Sequence, residues 1–426
     1  MYRSVLLFVM MLLSACSAAA AQPTSALLPT RAVVAGISEV AGIVGTAVPP
    51  NNLPPTWTPI PTILGSTPAP QDTPTPVPLE SPAATPFLPT NTPRPTRTPT
   101  PTATSAVIAT ATRYISQIPT QTYSNELGLS KLGLHVIRNN DARINEFVRV
   151  GQPSVIKAMD NFGYVAEIKA LSPRTIVVGR VNHAAQNYAG TPEDAARDFV
   201  EAQLDQYLAN PAVDYWEGWN EPDPNMNNMP WFTRFEQERV RLLAQYGLRA
   251  AVGGFPAGVP ELDEFALFLP AIQTALEYHG ILTLHEYSAP DMTYLYGDPL
   301  PGYPAYPDRG SLTFRYRWYY KELLEPAGLV IPLVISEAGI DGIIGNRPGP
   351  DGTGWRFFQN YWVGQGWGAT GPEAFINQLA WYDNGVRQDG YVIGFTVFTA
   401  GGLGQWLEYD INEILPELTA YVVSQQ

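Results

Sequence analysis

VDYWEGWNEPD, residues 213–223, is an apolar, aromatic-rich run that ends on Asn-Glu-Pro. Its body has the composition of a buried strand. A plain strand-ending turn would use Asp-Gly or Asn-Gly. A carboxylate set between an amide and a proline needs another reason, and the neighbouring runs supply the frame for one.

Similar short apolar runs recur along the chain: 131–137, 153–159, 174–180, 249–255, 281–287, 332–339 and 391–399. Between them lie stretches with apolar residues at helical spacing. The clearest are Pro192–Leu208, with Thr191 as N-cap and Pro192 at the first helical position, and Glu261–His279. Near-continuous apolar strands separated by helices read as parallel strands buried on both faces. Eight such units in about 300 residues predict an α/β fold, a (β/α)8 TIM barrel over 121–426, with a doubly wound open sheet as the alternative. No G-x-G-x-x-G follows the first strand and no P-loop occurs, which weighs against nucleotide-binding versions of the open sheet.

In a (β/α)8 barrel the C-terminal strand ends carry the active site. Strand four ends on Asn220-Glu221-Pro222, strand six on His285-Glu286-Tyr287, and strand seven on Ser336-Glu337-Ala338-Gly339. This set resembles the retaining glycoside hydrolases of the (β/α)8 superfamily called clan A. The resemblance covers 125–426 in strand order and is specific at these three motifs. It implies Glu221 as acid/base, Glu337 as nucleophile, Asn220 on the sugar 2-hydroxyl, Tyr287 on Glu337, and His285 lining the same site. Glycosidic cleavage needs two carboxyl groups in opposite protonation states. Glu221 and Glu337, 116 residues apart, face each other across the mouth if the barrel closes.

Many clan members carry an arginine at the end of strand two to hold the nucleophile ionised, whereas here strand two reads PSVIKAMDN. Lys157 or Arg180 is the expected substitute. Glu217, on the same face as Glu221, is expected about 13 Å deeper, paired with one of those bases. His135 and His183 stand near the ends of strands one and three, as subsite candidates or ordinary hydrogen-bonded histidines. No His-x-x-x-His pair or Asp-rich calcium loop occurs, so neither a metal nor another cofactor is implied.

The segments 288–311 and 341–371 read as long loops on the catalytic face, rich in Tyr, Trp and Gly. Trp355, Trp362, Trp367 and the strand-eight loop residue Trp406 are candidate subsite walls, or alternatively pack the loops' own small cores.

The N-terminal part differs in kind. Arg3, an apolar stretch from Val5 to Leu13, and Leu13-Ser14-Ala15-Cys16 have the layout of a secretory signal, residues 1–15, and resemble a bacterial lipoprotein box lipidated at Cys16. Ordinary cleavage within Ala18–Gln22 is the rival reading. Cys16 is the only cysteine, so no intrachain disulfide forms. Residues 16–120 read as a disordered stalk, Thr/Pro-rich from about residue 49. With the five bases and three acids of residues 1–120 set aside, 20 Lys/Arg face 36 Asp/Glu, a balance of −16. That balance argues against nucleic acid and strongly anionic polymers as partners. The expected partners are a carbohydrate substrate and a membrane reached only through the lipid anchor. The expected form is a monomer on the extracellular face of a bacterial membrane, or secreted if cleaved after the alanine run. A carbohydrate-binding or adhesion lipoprotein that kept the barrel and lost turnover is the competing function.

Overall fold

The computed structural model describes residues 129–182 and 186–426. The signal-like segment, Cys16, the Thr/Pro-rich stretch and His183 lie outside the described residues. Eight strands form one closed parallel barrel in chain order. They are β1 (Leu132–Val136), β2 (Val155–Met159), β3 (Ile176–Arg180), β4 (Tyr215–Glu217), β5 (Ala250–Phe255), β6 (Ile281–Ser288), β7 (Leu333–Ile340) and β8 (Val392–Ala400). The open-sheet alternative is excluded because β8 pairs back onto β1. Among the described residues no helix is long and apolar enough to cross a membrane.

The helices follow local rules. Pro192–Ala209 begins where Thr191 accepts the Asp194 N–H, and Pro192 occupies the first turn, where no amide donor is needed. The single helix expected over Glu261–His279 is instead two, Leu262–Ala266 and Leu269–Glu277. Pro270 is the cause, having no N–H to offer the carbonyl of Ala266 four residues earlier. The expected loop 341–371 likewise contains a helix, Trp355–Gly364.

Side chains stack in layers inside the barrel. Val155, Val178, Tyr215, Ala251, Ile281 and Val334 form a buried apolar layer. Two residues further along each strand, alternation brings Lys157, Arg180, Glu217, Thr283 and Ser336 to the same inner face. The lumen therefore turns polar toward the C-terminal mouth. Glu337 has the wrong parity to follow Val334 and Ser336 inward. The β7–β8 register slips between Ile335 and Ala338, and the β6–β7 register slips between Leu284 and His285. Such a bulge re-aims a side chain, and here it brings Glu337 into the barrel.

β4 is shorter than the expected 213–221 because the chain leaves the ladder after Glu217. Buried Arg239 replaces ladder bonds there, donating to the carbonyls of Trp216 (3.0 Å) and Ala251 (2.7 Å) while paired with Glu236 at 2.6 Å. A Cβ on Gly218 would stand 2.6 Å from a Glu236 carboxylate oxygen, so only glycine fits. The backbone then turns through Glu221, at φ 49°, whose N–H donates to Gly254 at the end of β5. Replacing Arg239 by leucine should leave the buried Glu236 carboxylate uncompensated and cost about 3–5 kcal/mol. Urea unfolding checks this, and a loss below about 1 kcal/mol would contradict the role given to Arg239.

Candidate active site

The carboxylates at the ends of β4 and β7 meet. One oxygen of Glu221, one ring nitrogen of His285 and one oxygen of Glu337 all lie within 4.8 Å of one another. Their settings differ. Glu337 is buried, whereas the Glu221 side chain retains 25% of its exposure.

Glu337 sits in a cage of donors. Its Oε1 lies 2.8 Å from Lys157 Nζ and 3.1 Å from Arg180 Nη1, and its Oε2 accepts the Tyr287 hydroxyl at 2.8 Å. Burial alone would raise its pKa. Three of the groups around it, His285, Lys157 and Arg180, outweigh burial and hold the carboxyl well below its ordinary value. Burial and the neighbouring carboxylates raise the Tyr287 pKa well above the ordinary phenol range, so its hydroxyl stays a donor. The absence of arginine from strand two is thus met twice, by a lysine on β2 and an arginine at the end of β3.

His285 Nδ1 stands between the two carboxylates, 3.0 Å from Glu221 Oε1 and 3.6 Å from Glu337 Oε2. Asn220 accepts from Arg180 through its amide oxygen and from Gln186 through its carbonyl, which orients the amide and leaves its NH2 as the donor. His135 is fully buried, with Nδ1 2.8 Å from the Thr399 hydroxyl and Nε2 3.6 Å from Glu337. Burial pushes its pKa well below the usual value, so it sits there neutral.

Glu217 is closer to this group than strand alternation implies. Lys157 Nζ is 2.9 Å from Glu217 and 2.8 Å from Glu337, so one ammonium bridges both carboxylates. The spacing of 13 Å assumed an extended strand to Glu221, but β4 stops at Glu217 and the chain turns. Burial opposes ionisation of Glu217, yet Lys157, Arg180 and His285 bring its pKa down to about 2.

Of the four tryptophans expected as subsite walls, Trp406 packs beside the site. It lies edge-on to Phe398, which also contacts His135, Tyr287 and Tyr409. Trp355 and Trp362 are buried instead, stacking on Phe375 and donating to the carbonyls of Asp410 and Pro290. Their helix turns these rings to the core, so they are not subsite walls. Trp367 is 37% exposed at the end of that helix, edge-on to Tyr361.

Asp341 was not singled out in the sequence. It follows Glu337 by four residues, just past the end of β7, and that spacing was the available signal. It accepts from Tyr409 Oη at 2.9 Å, and burial together with the charge of Glu221 pushes its pKa up to about 6. Glu286, between His285 and Tyr287, faces outward. It accepts the N–H groups of Phe314 and Tyr316 and the Tyr382 hydroxyl, tying the loop after β6 to its strand.

Glu221, His285 and Glu337 also form a donor set of the kind a divalent cation uses. Lys157 and Arg180 already occupy Glu337, and a dication there would face two fixed positive charges. The surroundings suit an ionised carboxylate better than a metal ligand.

No family model matches this chain, and no curated protein does. Among solved structures it is similar to N2152 from Neocallimastix frontalis, at 19% identity and TM-score 0.33, covering 50% of this chain and 53% of that one. The chain therefore spans about half the length of that neighbour. It is also similar to the endo-β-1,4-glucanase Xac0029 from Xanthomonas axonopodis pv. citri, at 13% identity and TM-score 0.38, over 69% of this chain and all of that one (100%). A third is the endo-β-1,4-mannanase from Thermotoga petrophila, at 12% identity and TM-score 0.37, covering 70% and 78%. Likeness at this level carries nothing about activity, which must be read from the site.

The buried charges make a test. Glu217 and Glu337 have folded pKa values below the unfolded one, so the stability they supply is present above about pH 4.5 and is lost as pH falls toward about 2. In Lys157→Met, burial outweighs the remaining charges and the carboxyl pKa values rise. The gain in stability between about pH 2 and about pH 4.5 should then vanish or turn into a fall, with a loss of about 3–5 kcal/mol near neutrality. Denaturant unfolding across that range checks it, and a variant that follows the parent's pH profile would contradict it.

Proposed function

We propose that the barrel is a retaining glycoside hydrolase acting on a neutral polysaccharide or oligosaccharide by double displacement. The observation that carries this reading is the asymmetric pair at the mouth. Glu337 is kept ionised by Lys157, Arg180 and Tyr287, with Glu221 beside it, partly exposed on His285. Carboxyl groups about 5–5.5 Å apart leave no room for an intervening water, which favours covalent attack over inversion. One oxygen of each carboxylate lies within 4.8 Å of the other, which supports the close spacing.

In this mechanism Glu337 attacks the anomeric carbon while Glu221 protonates the departing oxygen. A glycosyl-enzyme ester forms and the glycosidic bond breaks. Glu221 then takes a proton from water, which attacks the same carbon and releases Glu337. Asn220 offers its amide NH2 to the hydroxyl next to the reacting centre. Tyr287 and the two bases hold Glu337 in place and share its charge, and neutral His135 fills the space beneath. The competing non-catalytic reading drew on the arginine missing from strand two, and the double substitution by Lys157 and Arg180 weighs against it. On this proposal the N-terminal segment tethers the barrel to a bacterial surface through lipidated Cys16.

Full-length protein should hydrolyse at least one member of a panel of aryl glycosides, β-1,4-glucans and β-1,4-mannans, with retained configuration. Glu221→Ala should lower turnover of poor leaving groups by about 10²–10⁴-fold. Glycosylation by activated aryl glycosides should be largely spared, and azide should restore turnover as a glycosyl azide of retained configuration. Equal loss on every substrate without rescue would remove Glu221 from this role.

A further inference from the structure

Glu286 is a buried carboxylate that the proposed mechanism does not use, yet it lies on β6 between two residues that it does use. Strand alternation points His285 and Tyr287 into the barrel and Glu286 outward, where it is 1% exposed. Its Oε2 accepts the Phe314 N–H at 2.7 Å and the Tyr382 hydroxyl at 2.6 Å, and its Oε1 accepts the Tyr316 N–H at 2.9 Å. Phe314 and Tyr316 end the long segment that leaves β6. Tyr382 belongs to the helix Gly371–Val386, and its ring meets Phe395 of β8. Phe314 is a non-glycine residue at φ 54°, a strained conformation that persists only where its surroundings fix it. The bond from its N–H to Glu286 helps to fix it, together with ring contacts to Trp381 and Tyr382 and the Arg317 guanidinium 4.6 Å over its ring. One carboxylate thus ties the end of β6 to two other parts of the outer shell.

We propose that Glu286 is a positioning residue for the candidate site: braced from outside the barrel, its carboxylate fixes the end of β6 and so holds the Tyr287 hydroxyl on Glu337 and the His285 ring on Glu221. The contacts to be held are short, 2.8 Å and 3.0 Å. The proposal rests on the glycosidase reading in taking them as contacts of a working site, and adds what keeps them in register. Neighbours on a strand share its backbone, so a shift at Glu286 displaces both. The register with β7 slips between Leu284 and His285, so the strand end gains from a hold outside the ladder. The charge decides the strength of that hold, because bonds to an ionised acceptor are about twice as strong as neutral ones. A proton on Glu286 would sit among three donors, of which only the Tyr382 hydroxyl can turn to accept it. Burial opposes ionisation, while Tyr382, the N–H groups of Tyr316 and Phe314, and the charge of Arg317 favour it, and the balance pushes the pKa up to about 7. Tyr319 also feels this carboxylate. Tyr382, Tyr319 and Arg317 all titrate above their ordinary ranges, so a change of charge here near neutral pH belongs to Glu286.

The test reads geometry separately from turnover, in the full-length protein. The carbon-13 signal of the Tyr287 ring carbon that bears the hydroxyl is identified by its loss in Tyr287→Phe. In the parent it should shift with a midpoint near pH 7. Glu286→Gln keeps the shape but cannot ionise, and that step should be absent. Tyr382→Phe removes a donor to the charged form from the outer helix, and should move the midpoint up by about 0.5 pH unit or more. Should Glu286→Gln fold poorly, Tyr382→Phe decides alone, and an unchanged midpoint contradicts the proposal. On any glycoside that the parent cleaves, Glu286→Gln should lower kcat about tenfold at about pH 8, with KM changed less than about twofold. At about pH 6, where Glu286 of the parent is itself largely neutral, the loss should shrink to about twofold or less. A Tyr287 step that is missing from the parent or survives Glu286→Gln, or an equal loss of kcat at both pH values, would overturn the proposal. The expected Tyr287 behaviour in a parent that cleaves no glycoside would instead overturn the glycosidase reading and leave this one standing.

Discussion

A single ammonium group organises the mouth of this barrel. Lys157 is fully buried, and its Nζ bridges Glu217 at 2.9 Å and Glu337 at 2.8 Å. A cation taken out of water at that depth is tolerable only if its charge is met, and either carboxylate alone in that position would take up a proton. With Arg180 beside them, two anions and two cations compensate one another inside an apolar barrel. The arrangement keeps Glu337 ionised without exposing it to solvent. It also makes Glu217, on the floor of the site, the partner that holds Lys157 in position.

The same region shows how the backbone is bent to serve the site. β4 gives up its ladder after Glu217, and the buried Arg239–Glu236 pair takes over the carbonyls of Trp216 and Ala251. Gly218 is required by the approach of Glu236, and Glu221 occupies the left-handed region with its N–H held by Gly254. A non-glycine residue in that conformation is strained, and such strain persists where the surroundings fix it. On the far side, the bulge in β7 turns Glu337 inward. Two departures from regular strand geometry, one on each side, bring the carboxylates together.

Much of this was legible in the sequence. The eight strands fall within or beside the apolar runs, because parallel strands buried on both faces must be apolar nearly throughout. The polar residues at the ends of β4, β6 and β7 stood out against that background; Glu221, His285, Tyr287 and Glu337 gather at the mouth, whereas Glu286 faces outward. What could not be read follows from geometry beyond the local pattern. The bulge that aims Glu337 leaves no mark in residue parity, which by itself points the wrong way. The early stop of β4, which lifts Glu217 to the floor of the site, depends on Arg239 from a helix 22 residues further on. Trp355 and Trp362 resembled loop aromatics until their segment proved helical, with those rings on its buried face.

The central claim is that Glu337 is an ionised nucleophile held by Lys157, Arg180 and Tyr287. Its most direct test is to trap it with a 2-deoxy-2-fluoro glycoside that carries a good leaving group, built on whichever sugar the panel identifies. The fluorine slows both steps, and the leaving group keeps the first fast enough for the ester to accumulate. Inactivation should follow the loss of one leaving group per chain, and peptide mass mapping should place the sugar on Glu337, with no label in Glu337→Gln. Label on a different carboxylate, or a product of inverted configuration, would contradict the account.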